Sequence, residues 1–300
     1  MNATFDTRQV RRAFSRAAPG YDAAAALQRE VEAQLLESLE FYRLKHGDKQ
    51  PPRRVLDLGS GPGHAAAAMR RRWPKAQVLA LDLALPMLRA ARSRERWHPL
   101  RRGVDRACAD ARALPLAENS IDLLFSNLCL QWVEDLPAVF AGFRRVLRPG
   151  GLLLVSTFGP DTLHELRGAF AQADATPHVS PFASIALFGD ALMHAGFRDP
   201  VLDRDTTTTH YHDLPALMRE LRTLGATNAL QARRHTLTGK ARFARAAEAY
   251  VREHGNDHGL PASWETITAM AWAPPAGAPI REGGAEIARF PAAAIPIRRR

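Results

Sequence analysis

Asp57, Asp82 and Asp110 each stand at or beside the end of a short apolar run, and the first is followed by Gly59, Gly61 and Gly63. Glycines at every second position let the backbone turn where a Cβ would obstruct a ligand lying against it. Asp82 ends Val78-Leu79-Ala80-Leu81, twenty-five residues beyond Asp57. A carboxylate at the tip of a second strand is placed to accept hydrogen bonds from a ribose diol. Asp110 and Ala111 follow a third such run. The glycine loop and Asp82 together describe a nucleoside site. A dinucleotide fingerprint fails because its third glycine position is His64, and no Gly-Lys-Ser/Thr marks a P-loop.

These residues need a sheet whose strands all end on one edge. Strands are predicted at Val55–Leu58, Val78–Asp82, Val104–Ala109, Ile121–Ser126 and Leu152–Thr157, with helices over Ala65–Trp73, Pro86 to about Arg96, and Leu136–Val146. Alternating strands and helices of this length give a parallel sheet with right-handed crossovers. Arg148-Pro149-Gly150-Gly151 reads as a sharp turn. Apolar positions at helical spacing from Thr7 to Leu44, broken at Pro19-Gly20, predict a helical N-terminal cap over residues 1–50. Beyond Gly159 the pattern mixes helices (Leu163–Ala173, Ile185–Ala195, Leu214–Leu224, Ala241–Arg252) with strands at Val201–Tyr211 and Ile267–Trp272. The domain is expected to span 51–273, with helical substrate-side insertions near 160–200 and 212–255. Residues 274–300, rich in Ala, Pro, Gly and Arg, are expected to be a disordered tail.

Composition narrows the function. The 300 residues are 46% hydrophobic, with no apolar run near the ~18 needed to span a membrane. Arginines near the start lead into no apolar stretch, so no secretory signal is read. Cys108 and Cys129 lie in or beside apolar runs, are expected to be buried thiols, and form no metal-type cluster. A cytoplasmic location fits reduced cysteines. The net charge of +10, from 41 Lys and Arg against 31 Asp and Glu, favours an anionic partner. Basic clusters fall at Arg8–Arg16, Arg70–Arg72, Arg89–Arg106 and Arg298–Arg300, without interleaved aromatics or a nucleic-acid module.

The five segments in this order resemble the class I S-adenosylmethionine (SAM) methyltransferases, which implies a Rossmann-like α/β fold, a seven-stranded mostly parallel sheet with N-terminal helices and a helical lid. The resemblance implies that Asp57 and the Gly59 carbonyl meet the ammonium of SAM and that loop N–H groups meet its carboxylate. It also implies that Asp110 reads the base and that Asn127, ending Ile121-Asp122-Leu123-Leu124-Phe125-Ser126-Asn127, lies beside the methyl group. Gln131 and Trp132 follow as candidate walls. No metal is implied.

The flanks are similar to the malonyl-[acyl-carrier protein] O-methyltransferase family of biotin synthesis. They include Phe14-Ser15-Arg16-Ala17-Ala18-Pro19-Gly20-Tyr21-Asp22, Leu221-Arg222-Thr223-Leu224-Gly225-Ala226-Thr227-Asn228, Leu237-Thr238-Gly239, and Leu260-Pro261-Ala262-Ser263-Trp264-Glu265, where the family pattern has tyrosine at Trp264. That family methylates the free carboxylate of a malonyl thioester on acyl carrier protein. A coenzyme A thioester is a second candidate substrate; no nucleic acid or membrane is expected as partner. Such a carboxylate is already the nucleophile, so no general base is required. Arg222 is the candidate cation for it, with Arg219 competing on the same helix, and Tyr21 resembles the family's lid tyrosine. His178, His210 and His212 are read as surface or lid residues. Two alternatives stand beside this reading: methylation of a free small acid or quinone precursor, and a noncatalytic SAM-binding assembly protein.

Overall fold

The structure is a computed structural model that describes residues 4–94, 103–236, 238–278, 280–282 and 285–287. Its seven-stranded sheet runs in the order β3-β2-β1-β4-β5-β7-β6. The first five are β1 (Arg54–Leu58), β2 (Gln77–Asp82), β3 (Asp105–Cys108), β4 (Ile121–Ser126) and β5 (Leu147–Phe158), and they pair in parallel. β6 (Arg198–Tyr211) and β7 (Leu260–Trp272) close the far side, β7 antiparallel to both neighbours. The expected class I methyltransferase sheet is therefore present. Because β1 and β4 adjoin at its middle, the order reverses there, and the carboxyl ends of β1, β2 and β4 open a crevice.

Helices cover both faces. On one lie α3 (Ala26–Glu37), α4 (Glu40–His46) and α5 (His64–Arg72), where Leu35, Leu39 and Tyr42 join Val55, Val78 and Leu152 in one core. The other face holds α7 (Leu136–Val146) and α9 (Ile185–His194), whose Phe140, Phe143, Phe188 and Leu192 are fully buried. α6 (Leu85–Arg94) flanks β2 and β3. Over the carboxyl edge lie α1 (Thr7–Ala17) and α2 (Tyr21–Ala24) together with α8 (His164–Ala173), α10 (Leu214–Thr223) and α11 (Lys240–His254). The last three enclose a separate apolar cluster with Phe158, Tyr211 and Trp264.

Four expectations change. The turn expected at 148–151 is an irregularity inside β5: Gly150 takes φ +76°, and the register against β4 shifts between Ile121 and Leu123. The strand thus begins at Leu147. The insertion near 160–200 divides, α8 joining the lid cluster while α9 packs under the sheet against α7. Cys108 is exposed, because β3 is the edge strand of the sheet, while Cys129 is half-buried and desolvation pushes its thiol up to about 12. Within the expected tail, β8 (Ile280–Glu282) and β9 (Ala285–Ile287) pair with each other. Residues 288–300 of that tail, Leu237, and residues 95–102 of the third basic cluster lie outside the described residues. No helix among the described residues is long and apolar enough to cross a membrane.

Candidate active site

The loop from β1 to α5 is fixed from beneath. Gly59 and Ser60 both donate to the Leu81 carbonyl, at 2.8 and 3.0 Å. Gly59 has φ +68°, and a Cβ there would lie 2.6 Å from Cys129 Sγ. Its glycine is demanded by the protein's own packing. Gly61, at φ +50°, has open space where its Cβ would point, so ligand approach is free at that residue. Gly63 caps α5 and abuts Ala91.

Asp82 receives N–H bonds from Gly61 (2.8 Å) and Ala84 (2.7 Å), which tie the loop to the tip of β2. Burial still pushes its carboxyl up to about 6, the two backbone bonds opposing. Asp110 is engaged by Arg112 through both oxygens, at 2.7 and 3.0 Å, which lowers its pKa. The same guanidinium donates to Thr7 Oγ1 at 2.8 Å and so anchors α1 over this loop. These residues, with Leu83, Met87 and Val133, line an open-mouthed cavity of about 810 Å³. An apolar slot with a carboxylate at one end fits an adenosine.

Asp57 and Asn127 are held more tightly than their spacing suggests. Asp57 is 2% exposed, accepts from the Ala66 amide at 2.9 Å, and is driven well above the carboxylate range by burial and then by Glu32. Asn127 donates to the Gln28 carbonyl (2.9 Å) and accepts from Ser156 Oγ (2.7 Å). Both border a smaller hollow of about 410 Å³ with Ser60, His64, Arg29 and Glu32. Ser60 Oγ is buried there without a hydrogen-bond partner among the described residues. Sequence reasoning missed Glu32, which burial pushes up to about 7. Its signal was available: Gln28 and Glu32 are one turn apart on α3, a spacing that shares a face.

Tyr21, at the start of α2, lines all three hollows. Burial, and then Asp82, raise its phenol above the ordinary value, so it stays a neutral donor. Phe14, Tyr21, Leu128 and Trp132 form the wall shared between the adenosine slot and a second cavity of about 1200 Å³. That cavity is mainly apolar, bounded by Phe158, Phe170 and Trp264, the last only 4% exposed. Arg222 lines it; Arg219 does not. Arg222 forms no ion pair among the described residues. Four buried polar atoms on its wall lack hydrogen-bond partners among the described residues: Gln28 Oε1, Gln131 Oε1, Trp132 Nε1 and Thr227 Oγ1. Each such atom costs about 1–3 kcal/mol until a ligand or water satisfies it. His178 also reaches this wall, its Nε2 3.2 Å from Asp174 and its ring stacked on Phe170. His210 and His212 are exposed and do not line it.

A methyltransferase-domain family model matches residues 56–155. Over 301 aligned residues, spanning 100% of this chain and 99% of its relative, the chain is 60% identical to the malonyl-[acyl-carrier protein] O-methyltransferase of Xylella fastidiosa (strain M23). It is 44% identical to the protein of that name from Gallionella capsiferriformans (strain ES-2), over 90% of this chain and 91% of the relative. The YcgJ protein of Bacillus subtilis shares the fold at 17% identity and a TM-score of 0.54, covering 79% of this chain and 98% of that one. Among the described residues no group of three or more His, Cys, Asp or Glu is placed to hold a metal ion. With one relative matched end to end and others over nine-tenths of their length, the chain belongs to the malonyl-[acyl-carrier protein] O-methyltransferase family.

Proposed function

We propose that this chain transfers a methyl group from SAM to the free carboxylate of a malonyl thioester carried on acyl carrier protein, giving the methyl ester that primes pimeloyl synthesis for biotin. The observation that carries the reading is the pair of cavities sharing one wall. One suits an adenosine; the other offers an unpaired arginine and four unsatisfied polar atoms inside apolar walls. SAM, when bound, supplies a methyl group on a sulfonium, a good leaving group.

The chain's own residues then have three tasks. Asp82 accepts from the ribose hydroxyls. Asp57 and Glu32 balance the ammonium of the methionyl end, and the cradle at Gly61 and Ala111 offers backbone to ligand. On the acceptor side, Arg222 holds the carboxylate through a guanidinium fork, replacing water that would otherwise be costly to remove. Tyr21 closes the wall between donor and acceptor and excludes water. A malonyl carboxylate is ionised at neutral pH, so no residue needs to remove a proton. Orientation of the two reactants is where the rate is gained, and alignment of this kind contributes about 7–11 kcal/mol. The apolar lining beyond Arg222, with Phe158, Phe170 and Trp264, receives the thioester arm, and a coenzyme A thioester is a secondary substrate. We place the enzyme in the cytoplasm, in keeping with its two free thiols, with neither nucleic acid nor membrane as partner.

Mass spectrometry of malonyl-carrier protein incubated with enzyme and SAM tests the reading. The expected result is a gain of one methyl on the acyl group, abolished when the carboxylate is already esterified. Methylation of free acids alone would overturn it. Arg222→Ala is expected to leave S-adenosylhomocysteine binding within about twofold while turnover falls about 100-fold or more, the scale of a lost charged hydrogen bond. Equal loss of both would make Arg222 a packing residue.

A further inference from the structure

The helix α1 carries Arg8, Arg11, Arg12 and Arg16 on its exposed side and turns Val10, Ala13 and Ala17 inward. The three- and four-residue intervals place these arginines together on one face. No acidic residue lies within the helix, and none of the four arginines makes an ion pair among the described residues. Four arginines elsewhere, Arg112, Arg148, Arg233 and Arg234, are by contrast each matched to a carboxylate at 2.7–2.8 Å.

The charged face continues onto a second helix. Gly225, just past α10, lies so close to α1 that a Cβ would come within 3.1–3.2 Å of Ala17 and Ala13. The end of α10 thus packs against α1, and α10 carries Arg219 and Arg222 at exposed positions, while Glu220 between them is turned to the Tyr211 hydroxyl at 2.9 Å. Both helices also reach the second cavity, because Phe14 of α1 and Leu221 and Arg222 of α10 line it. An unneutralised field of one sign at a cavity mouth attracts and orients a partner of opposite charge.

We propose that this α1–α10 arginine face is the docking surface for an acidic carrier protein, whose acyl arm passes from it into the second cavity. The inference rests on the carboxyl methyltransferase reading and adds to it the place of contact. An acidic protein suits the face better than a nucleic acid, since the one aromatic residue of α1, Phe14, points inward and leaves nothing exposed for base stacking.

The test uses the full chain with Arg8, Arg11, Arg12, Arg16 and Arg219 changed to Gln, assayed on malonyl-carrier protein and on malonyl-pantetheine, which carries the arm alone. KM for the carrier substrate is expected to rise tenfold or more with kcat unchanged, while kinetics on malonyl-pantetheine stay within twofold. The salt dependence of kcat/KM on carrier protein should flatten. A control variant, Arg53→Gln, Arg54→Gln and Lys75→Gln, removes three charges from the opposite edge of the sheet and should change neither substrate. Equal effects on both substrates, an unchanged carrier KM, or loss of duplex DNA binding in place of carrier binding would overturn the proposal. Wild-type enzyme inactive on both thioesters would instead overturn the carboxyl methyltransferase reading. Should the fivefold variant lose S-adenosylhomocysteine binding, Arg12→Glu and Arg219→Glu, on separate helices, are judged singly by the same criteria with a threefold KM threshold.

Discussion

Asp82 and Glu32 are both carboxyls pushed above their ordinary values by burial, to about 6 and about 7, in the site we propose for SAM. The sign of the resulting pH effect follows from linkage. A raised carboxyl pKa means the folded chain holds more protons than the unfolded one between the ordinary value and the raised one, so stability falls as pH rises through that window. Without ligand, these two groups should make the protein more stable near pH 5.5 than near pH 7.5, and the difference should shrink when S-adenosylhomocysteine is bound. Thermal melts at both pH values, with and without ligand, check this. An ammonium beside Glu32 favours its ionised form, so binding near pH 6.5 should release protons, detectable as a buffer-dependent enthalpy in calorimetry. In Glu32→Gln that dependence should largely vanish. Asp82→Ala is expected to weaken S-adenosylhomocysteine by about 1–3 kcal/mol, the usual range for a charged hydrogen bond. Since its carboxylate also holds the Gly61 and Ala84 amides, the variant should melt lower as well. Asp57, Asp82 and Asp110 are legible in the sequence because strand ends and glycine spacing announce them. Gln131 is legible as well, from its place just after the fourth strand. Gln28 and Glu32 share a helix face, but only tertiary packing turns that face, and Thr227, toward the site.

At the scale of elements, local pattern locates nearly every helix and strand but not their allegiance. It predicts α7 over Leu136–Val146, the span observed, since Asp135 caps it and five apolar residues recur on one side. It makes β5 too short, because a Pro-Gly-Gly run reads as a break and only pairing to β4 on both sides of it shows that the strand passes through. α9 reads as part of an insertion because nothing in its sequence tells which apolar surface its Phe188 will fill. The β1–α5 loop offers a sharper case. Gly59→Ala places a methyl 2.6 Å from Cys129 at a positive φ, and should lower stability by about 1–3 kcal/mol, the usual range for overpacking. Cys129→Gly in the same chain removes the obstructing side chain and should recover part of that loss. A double-mutant cycle of denaturant midpoints reads the coupling. The strain of φ +68° remains for alanine, so recovery should be incomplete.

For the whole molecule, the N-terminal fifty residues divide in function although the sequence groups them as one cap. α3 and α4 place Leu35, Leu39 and Tyr42 in the core beside β1, β2 and β5. α1 packs at the edge, its Val10 with Phe5, Ala229 and Leu230, and its Phe14 edge-on to Trp132 at 5.5 Å. Removing residues 1–19 should therefore leave a cooperatively melting protein with much weakened S-adenosylhomocysteine affinity. Removing 1–50 should leave no cooperative transition, since each large core side chain lost costs about 2–5 kcal/mol. Near-UV circular dichroism and calorimetric melting distinguish the two.

Phe14, Tyr21, Leu128 and Trp132 are one partition with two sides. An arm held in the second cavity is expected to brace this partition, so that ester departs ahead of the spent nucleoside. Product-inhibition kinetics would then show the homocysteine adduct competing with fresh methyl donor for the vacated enzyme.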